Sequence, residues 1–566
     1  MKKFIFCALY IFFLGSTFAA STQDKQATRP NILLFAFDDL RPLIAAYGEP
    51  EPITPNLDAL SSEGIRFNRN YVAYPLCKPS RATMLTGIRF DNQPVGGKWP
   101  NHSQMIDVQE TWPGVLRKAG YWTATRGKVY HGNVPARDKT AWDIPGPHWT
   151  SKKQTGDWNE EILAAIVEKG GRADQLEGYL KRGSGSGALV YVSVDGPDNL
   201  LNDGQVADDV ISYIKKQRDP GKPFAIACGF SRPHMPWTAP RKYFDLYPED
   251  AGRLAYLPDD AEKIIDKEEI TPKNKNDVWN EGVDDATAQK LIRGYMACTS
   301  YVDAQMGKVI QALKEQGLYE NTIIVVWGDH GYHLTDHGLW RKNTAYHVSM
   351  RAPLIIKAPG FKAGQTVSAV VGNVDIYPTL LELSGVEKPE GVQFHGKSMV
   401  PLLKDPKAEW ENITYTCAKG RYGLVTDRYR FTVSERGASL YDLKNDPHEW
   451  NNLGNTQEYT DLVNSFKKKL AEVSWNISSS ESRKPPEQTP ANNSKKKAFE
   501  EWDWFGALDS NDDGRVTKEE WLMRAQLKAK KKNQTYNEDQ EKQNFADRDK
   551  NGDGWILREE FNLGVK

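Results

Sequence analysis

The sequence is poor in cysteine, with five among 566 residues, at Cys7, Cys77, Cys228, Cys298 and Cys417. Their spacing is wide and irregular, so no disulfide framework organises the fold. An excess of one charge is also missing. Lys+Arg 74 against Asp+Glu 75 leaves a formal net charge of -1, which excludes general affinity for nucleic acid or an anionic membrane. Beyond the N-terminus there is no apolar run of about 18 residues or more, so no integral membrane span is expected. Aromatic residues, by contrast, are plentiful. The 17 Trp suit a globular protein with aromatic core and rim packing and surfaces able to stack on carbohydrate. Length alone predicts two or three domains.

Residues 1–20 read as a secretory signal peptide. Lys2 and Lys3 supply its positive region, residues 4–14 a short apolar core, and Thr17-Phe18-Ala19 a cleavage site. The mature chain is expected to be exported, either periplasmic or secreted. Cys7 departs with the signal, and Cys228 and Cys298 read as small buried residues.

Three apolar runs, at 30–37, 223–230 and 321–327, suit strands buried on both faces of a parallel sheet. They lead into Asp38-Asp39, into Ser231-Arg232-Pro233-His234, and into Gly328-Asp329-His330-Gly331. Helical patterns at 206–218 and 286–313 alternate with them, which argues for an α/β domain over 29–400. Polar residues just beyond strand ends are where such sheets bind ligands. Over 401–477 the pattern changes to short strands at 422–426, 429–433 and 439–443 and a helix near 459–473. That reads as a small antiparallel sheet packed by a helix. Residues 478–497, rich in Ser, Pro, Asn and Lys, form a linker, and 498–566 a separate module.

That module holds two segments matching the twelve-residue calcium loop of EF-hands. In the first, Asp509, Asn511 and Asp513 offer side-chain oxygens, Arg515 a backbone carbonyl, Thr517 a direct or water-mediated contact and Glu520 a bidentate carboxylate. Asp549, Asn551, Asp553, Trp555 and Glu560 repeat the pattern, with Leu557 at the often water-mediated position. Val516 and Ile556 hold equivalent places and can pair as a short bridge. The expectation is an α-helical EF-hand pair whose two Ca2+ ions stabilise rather than sense.

Leu76-Cys77-Lys78-Pro79-Ser80-Arg81, followed by Thr86-Gly87, resembles the core of the type I sulfatases. In that family the cysteine is oxidised to formylglycine (3-oxoalanine) by a formylglycine-generating or sulfatase-maturating enzyme. A serine attacking a sulfate ester would form a new ester with no easy exit. A hydrated aldehyde attacks with one hydroxyl and uses the other to eliminate sulfate. Asp38, Asp39, Asp329 and His330, with Cys77, resemble the family's metal site, which implies Ca2+, with Mg2+ the lesser choice. Arg81, on a helix expected to begin near Pro79, is implied to hold the aldehyde hydrate.

Gly127-Lys128-Val129-Tyr130-His131 resembles the family's Gly-Lys-x-x-His element. By that match Lys128 binds sulfate and formylglycine oxygens, and His131 assists proton transfer. The Arg232-Pro233-His234 segment implies that His234 contacts sulfate and protonates the leaving alcohol, and Trp340-Arg341-Lys342 that Lys342 binds sulfate. His337 and Trp340 are taken as substrate-rim candidates, and Asp203 as a loop-positioning residue. The Asp-His pair at 329–330 and residues 423–430 look most like iduronate-2-sulfatases and their bacterial relatives. The resemblance implies an alkaline-phosphatase-like fold, a large mixed and mostly parallel sheet flanked by helices, plus the small antiparallel subdomain. It implies hydrolysis of sulfate esters on a polysaccharide or oligosaccharide, uronate- or rhamnose-containing, such as algal ulvan or a glycosaminoglycan. Two rivals are a formylglycine-dependent phosphodiesterase or phosphonate hydrolase, and a non-catalytic calcium-binding surface protein. Residues 135–201 match nothing readable.

Overall fold

A computed structural model of the chain describes residues 29–49, 51–89, 109–148, 189, 191–266, 269, 283–418, 420–434 and 437–474, and in the C-terminal part 515–518, 521–522, 525–526, 536–549 and 554–557. The signal peptide and the linker lie outside these residues. So do the EF-hand positions Asp509, Asn511, Asp513, Glu520, Asn551, Asp553 and Glu560. The chain divides into two compact units, Met1–Ser474 and Trp475–Lys566.

In chain order the first unit forms β1 (Asn31–Asp38), β2 (Ile65–Tyr71), β3 (Trp122–Gly127), β4 (Ile144–Pro145), β5 (Tyr191–Val194) and β6 (Phe224–Pro233). Then come β7 (Trp237–Pro240), β8 (Thr322–Gly328), β9 (His333–Leu334), β10 (Trp340–Arg341), β11 (Leu354–Lys357) and β12 (Gln365–Gly372). Eight of these make one sheet in the order β12-β2-β11-β8-β1-β6-β3-β4. Only β11 runs against its neighbours. The central block β8-β1-β6-β3 is parallel throughout.

The burial of β1 shows why these strands read as continuous apolar runs. All eight of its residues are buried, yet alternate side chains serve different cores. Leu33, Phe35 and Phe37 pack with the long helix Asp285–Glu315, whereas Ile32, Leu34 and Ala36 pack with the helix Ile376–Ser384 on the other face. Both faces are covered, so no polar alternation survives in the sequence. The helix Asp285–Glu315 is N-capped by Asp284, whose side chain accepts from the Thr287 N–H at 2.8 Å.

The antiparallel sheet β13 (Ile413–Ala418), β14 (Arg421–Thr426), β15 (Tyr429–Ser434) and β16 (Gly437–Asp442) is a meander. The helix Thr460–Ser474 packs on it through Val463, Phe466 and Leu470. This matches the expected subdomain. Its inner polar network is wholly buried: Arg430 pairs with Glu449 and, at 3.1 Å, with Glu269, which also accepts from Thr432 at 2.6 Å.

In the second unit β17 (Arg515–Thr517) and β18 (Trp555–Leu557) pair antiparallel, Val516 opposite Ile556, as the two loop motifs predict for those positions. Val516, Ile556, Trp521 and Phe545 form a small core. Asp549 accepts from the Gly554 N–H at 2.9 Å, and Gly554 sits at φ 85°, a left-handed turn suited to glycine.

Removing the guanidinium in Arg430→Ala leaves Glu449 buried without its cation and Glu269 with Arg421 alone, at 3.5 Å. The expected loss is about 3–5 kcal/mol, measured by urea unfolding against the parent chain.

Candidate active site

The site is assembled at the C-terminal ends of adjacent parallel strands. β8 delivers Asp329 and His330, β1 Asp38 and Asp39, β6 His234, and β3 Lys128. At the end of β1 the register against β6 shifts between Phe37 and Asp38, and Asp39 takes a left-handed φ of 63°. That costs energy for a residue with a side chain. It is fixed from both sides: the Asp39 N–H donates to Asp329 Oδ1 at 2.9 Å, and its carbonyl accepts from the Tyr295 hydroxyl at 2.8 Å.

Cys77 is the first residue of the helix Cys77–Thr86. The helix starts two residues earlier than expected, because extended Leu76 ends the preceding segment and Pro79 is tolerated in a first turn. Cys77 is 3% exposed, with Sγ 3.4 Å from His330 Nε2 and 4.0 Å from Asp39 Oδ1. Lys342 Nζ donates to Sγ at 3.2 Å and also to Asp39.

Arg81 lies fully buried between β1 and β8. Its guanidinium is committed to the buried carboxylates: Nε lies 2.9 Å from Asp329 Oδ2 and NH2 3.1 Å from Asp38 Oδ1, while NH1 donates to the Lys128 carbonyl. One turn along the helix from Cys77, it meets acceptors lying beneath the thiol, so it organises the acidic residues. Lys128 Nζ pairs with Asp38. His234 Nε2 stands 4.0 Å from both Asp38 and Asp39, and its Nδ1 meets the Met235 carbonyl at 2.6 Å. A carbonyl only accepts, so Nδ1 carries the proton. Asp203 acts as expected, accepting the Ser231 and Arg232 N–H groups at 2.8 Å each and fixing the turn that presents His234.

His131 lies exposed on the turn after β3 and acts electrostatically on His148, a buried histidine that sequence reasoning missed. Burial and then Lys128 hold the His148 pKa well below its ordinary value, with Asp38 opposing and Arg81 and His131 adding. Its only signal is a single His after Gly146-Pro147, which carries no period or spacing. Trp340 and His337, expected as substrate-rim candidates, are largely packed inside. Each is only 4% exposed, because Trp340 packs on Trp237 and His337 stacks between Tyr346 and Trp450.

The electrostatics are those of a site built around a cation. Burial raises the Asp38 pKa, but Lys128, His234, Arg81 and Lys342 outweigh it and hold the group well below its ordinary range. Asp39 is lowered too, burial being overcome by Lys342 and His234. Asp329 goes the other way: burial, with Asp38 and Asp39 adding to it against Arg81, pushes it up to about 8. Burial, aided by Lys342, brings His330 down to about 3. Its Nδ1 faces the Gly331 carbonyl at 2.8 Å, so the lone pair on Nε2 points at the carboxylates, the tautomer a metal ligand needs.

One donor atom each from Asp38, Cys77, Asp329 and His330 lies within 4.8 Å of the others, and the same holds for Asp38, Asp39, Cys77 and His234. Asp39 Oδ2 is buried without a hydrogen bond. Three carboxylates and a neutral imidazole in this arrangement fit a hard divalent cation. The Cys77 thiol is held far above its ordinary range, chiefly by burial and Asp38. It is therefore un-ionised, the opposite of an activated cysteine nucleophile.

The pattern of the sulfatase family matches residues 30–386, and that of the N-sulphoglucosamine sulphohydrolase C-terminal region matches 335–476. A sulfatase of Formosa agariphila is 31% identical over 478 residues, covering 81% of this chain and 90% of that one. An ulvan-active sulfatase of the same organism is 27% identical (80% and 83% covered), and mouse iduronate 2-sulfatase is 28% identical (65% and 71%). Among solved structures, a protein in complex with its substrate D-glucosamine-2-N,6-O-disulfate superposes with TM-score 0.57 at 24% identity, over 79% of this chain and 97% of that one. A phosphonate monoester hydrolase of Agrobacterium radiobacter gives 0.61 at 21% (79% and 95%). These structures share the fold, with its large, mostly parallel sheet and its small antiparallel one. With the family pattern covering most of its length and a relative at 31% identity matched nearly end to end, the chain belongs to the sulfatase family and is an enzyme of that kind.

Proposed function

We propose that the chain is an exported, formylglycine-dependent, calcium-dependent sulfatase acting on a sulfated carbohydrate polymer or its oligosaccharides. The observation that carries the formylglycine reading is the state of Cys77. A buried, un-ionised thiol beside three carboxylates is a poor nucleophile as it stands, yet Lys342 and His330 converge on it. Oxidised to the aldehyde, this side chain supplies a geminal diol, the chemistry a plain hydroxyl lacks for shedding sulfate. Asp38, Asp39, Asp329 and His330 would hold a Ca2+ ion that polarises oxygen atoms at that position.

The chain's own groups form two layers. Asp38, Asp39, Asp329 and His330 are fully buried, while Lys128, Lys342 and His234 keep a small open surface above them. Lys128 and Lys342 are placed to receive sulfate oxygens and to offset charge that builds up on them. His234 is held neutral near pKa 4 by burial, with Lys128 and Lys342 working against Asp39 and Asp38. An incoming sulfate offsets those two ammonium charges and so favours a proton on Nε2. With Nδ1–H already bound to the Met235 carbonyl, the ring can pass that proton to the leaving alcohol. His131, exposed on the turn after Lys128, would assist proton transfer at the aldehyde hydrate. Uronate- or rhamnose-containing substrates, such as ulvan or a glycosaminoglycan, are favoured by the ulvan-active and iduronate relatives. The domain plan is 29–400 catalytic, 401–477 subdomain, 478–497 linker and 498–566 EF-hand pair. The pairing of β17 with β18 and the Asp549–Gly554 hydrogen bond support the EF-hand reading.

The deciding assay pairs aryl sulfate with aryl phosphate and phosphonate esters, using protein coexpressed with a formylglycine-generating enzyme. Faster sulfate turnover, and an aldehyde in the Cys77 peptide by mass spectrometry, are expected. A strong phosphate or phosphonate preference sinks the sulfatase assignment, and an unmodified Cys77 sinks the mechanism. Cys77→Ser should lose at least about 10^3-fold in kcat while still binding sulfated oligosaccharide by calorimetry. Chelation should abolish turnover, with Ca2+ restoring it better than Mg2+. Asp509→Ala combined with Asp549→Ala should remove the calcium-dependent rise in Tm of the C-terminal unit and leave turnover unchanged.

A further inference from the structure

A cavity of about 260 Å3 is lined by Arg41, Glu49, Glu51, Arg253, Tyr256 and Asp336 over an apolar floor. It shares two chain segments with the reactive centre. Arg41 follows Asp39 by two residues, at most about 7.6 Å of backbone, and the Tyr295 hydroxyl bonds both the Asp39 carbonyl and the Arg41 N–H. Asp336 lies on the stretch that runs from Asp329 to Lys342.

The lining groups are ion-paired. Arg253 bridges Glu49 and Glu51, the latter at 2.6 Å, and Arg41 pairs with Asp336 at 2.7 Å. Two features of the wall point to a ligand. Glu51 Oε2 is buried without a hydrogen-bond partner, a costly state that a donor would relieve. Tyr256 is 60% exposed, the most exposed large apolar side chain among the described residues. Its ring lies 5.4 Å from that of His448, tilted by 44°, which sets an aromatic face at the rim.

Three carboxylates against two guanidiniums leave one negative charge in excess, so a second sulfate or a uronate carboxylate would be repelled. A volume just below the usual range of ligand pockets, about 300–1,000 Å3, an aromatic face and a ring of acceptors and donors suit one uncharged sugar. We propose that the cavity is a subsite for a neutral sugar residue of the polymer whose sulfate is presented at Cys77, an inference that rests on the carbohydrate-sulfatase reading. Tyr256 would stack on the sugar ring, and the Glu51 side chain, 23% exposed, would turn its unpaired Oε2 to accept one of the hydroxyls. Neither residue belongs to the reactive centre.

The test compares the parent with Tyr256→Ala and Glu51→Gln, on an aryl sulfate and on a panel of sulfated oligosaccharides. Each variant should keep the parent's kcat/KM on the aryl sulfate and raise KM about tenfold or more on the oligosaccharides turned over. A KM within twofold of the parent on every oligosaccharide hydrolysed overturns the proposal. Should the parent hydrolyse no sulfate ester, the sulfatase reading fails by itself. The subsite is then judged by saturation-transfer NMR with unsulfated neutral di- and trisaccharides (hexose, 6-deoxyhexose, pentose and N-acetylhexosamine). Binding that Tyr256→Ala abolishes supports it, and no Tyr256-dependent binding overturns it.

Discussion

Asp38, Asp39 and Asp329 are buried together in a space where their charges repel. The Arg81 guanidinium makes that tolerable by bonding Asp38 and Asp329 at once. Without it Asp329 would lose its cation, while Asp38 and Asp39 would keep Lys128 and Lys342. Arg81 does not cancel the whole charge. Asp329 still holds its proton to about pH 8, and this residual imbalance is what a divalent ion would answer.

The parallel block β8-β1-β6-β3 turns a topological fact into a chemical one. Strands that run the same way end on the same side, so residues nearly 300 positions apart meet without any long excursion of the chain. Lys342 has no such strand and reaches Cys77 on a loop instead. That loop holds Thr335, His337, Arg341 and Asn343 in left-handed conformations. The Arg41–Asp336 pair and the stacking of His337 on Tyr346 and Trp450 hold it in place. The buried aromatic cluster is thus scaffolding for a cation, which is why His337 and Trp340 face inward.

Much of this was legible in the residues. The strands that carry Asp38, His234 and Asp329 are buried on both faces and read as apolar runs. β2, interrupted by half-buried Arg66, Asn68 and Arg69 and by buried Asn70, and β12, which pairs at the sheet edge, have weaker patterns. Cys77, Lys128, His234, Asp329, His330 and Lys342 converge as their motifs imply, since each motif sits at a strand end or a helix start. The role of Arg81 was not legible, because its acceptors come from two other strands and the spacing to Cys77 says nothing of what lies beneath the helix. Nor can a lone aromatic or histidine such as Trp340, His337 or His148 be sorted into rim or interior without the packing around it.

The burial of Cys77 has a consequence for the order of events in the cell. A side chain 3% exposed, at the start of a helix wedged over closed strands, is out of reach of any protein-sized catalyst once the sheet has formed. Under the maturation proposed above, the oxidising enzyme would have to meet the chain before β8 docks against β1. On that proposal maturation would race against folding, and a chain that folded first would stay a thiol.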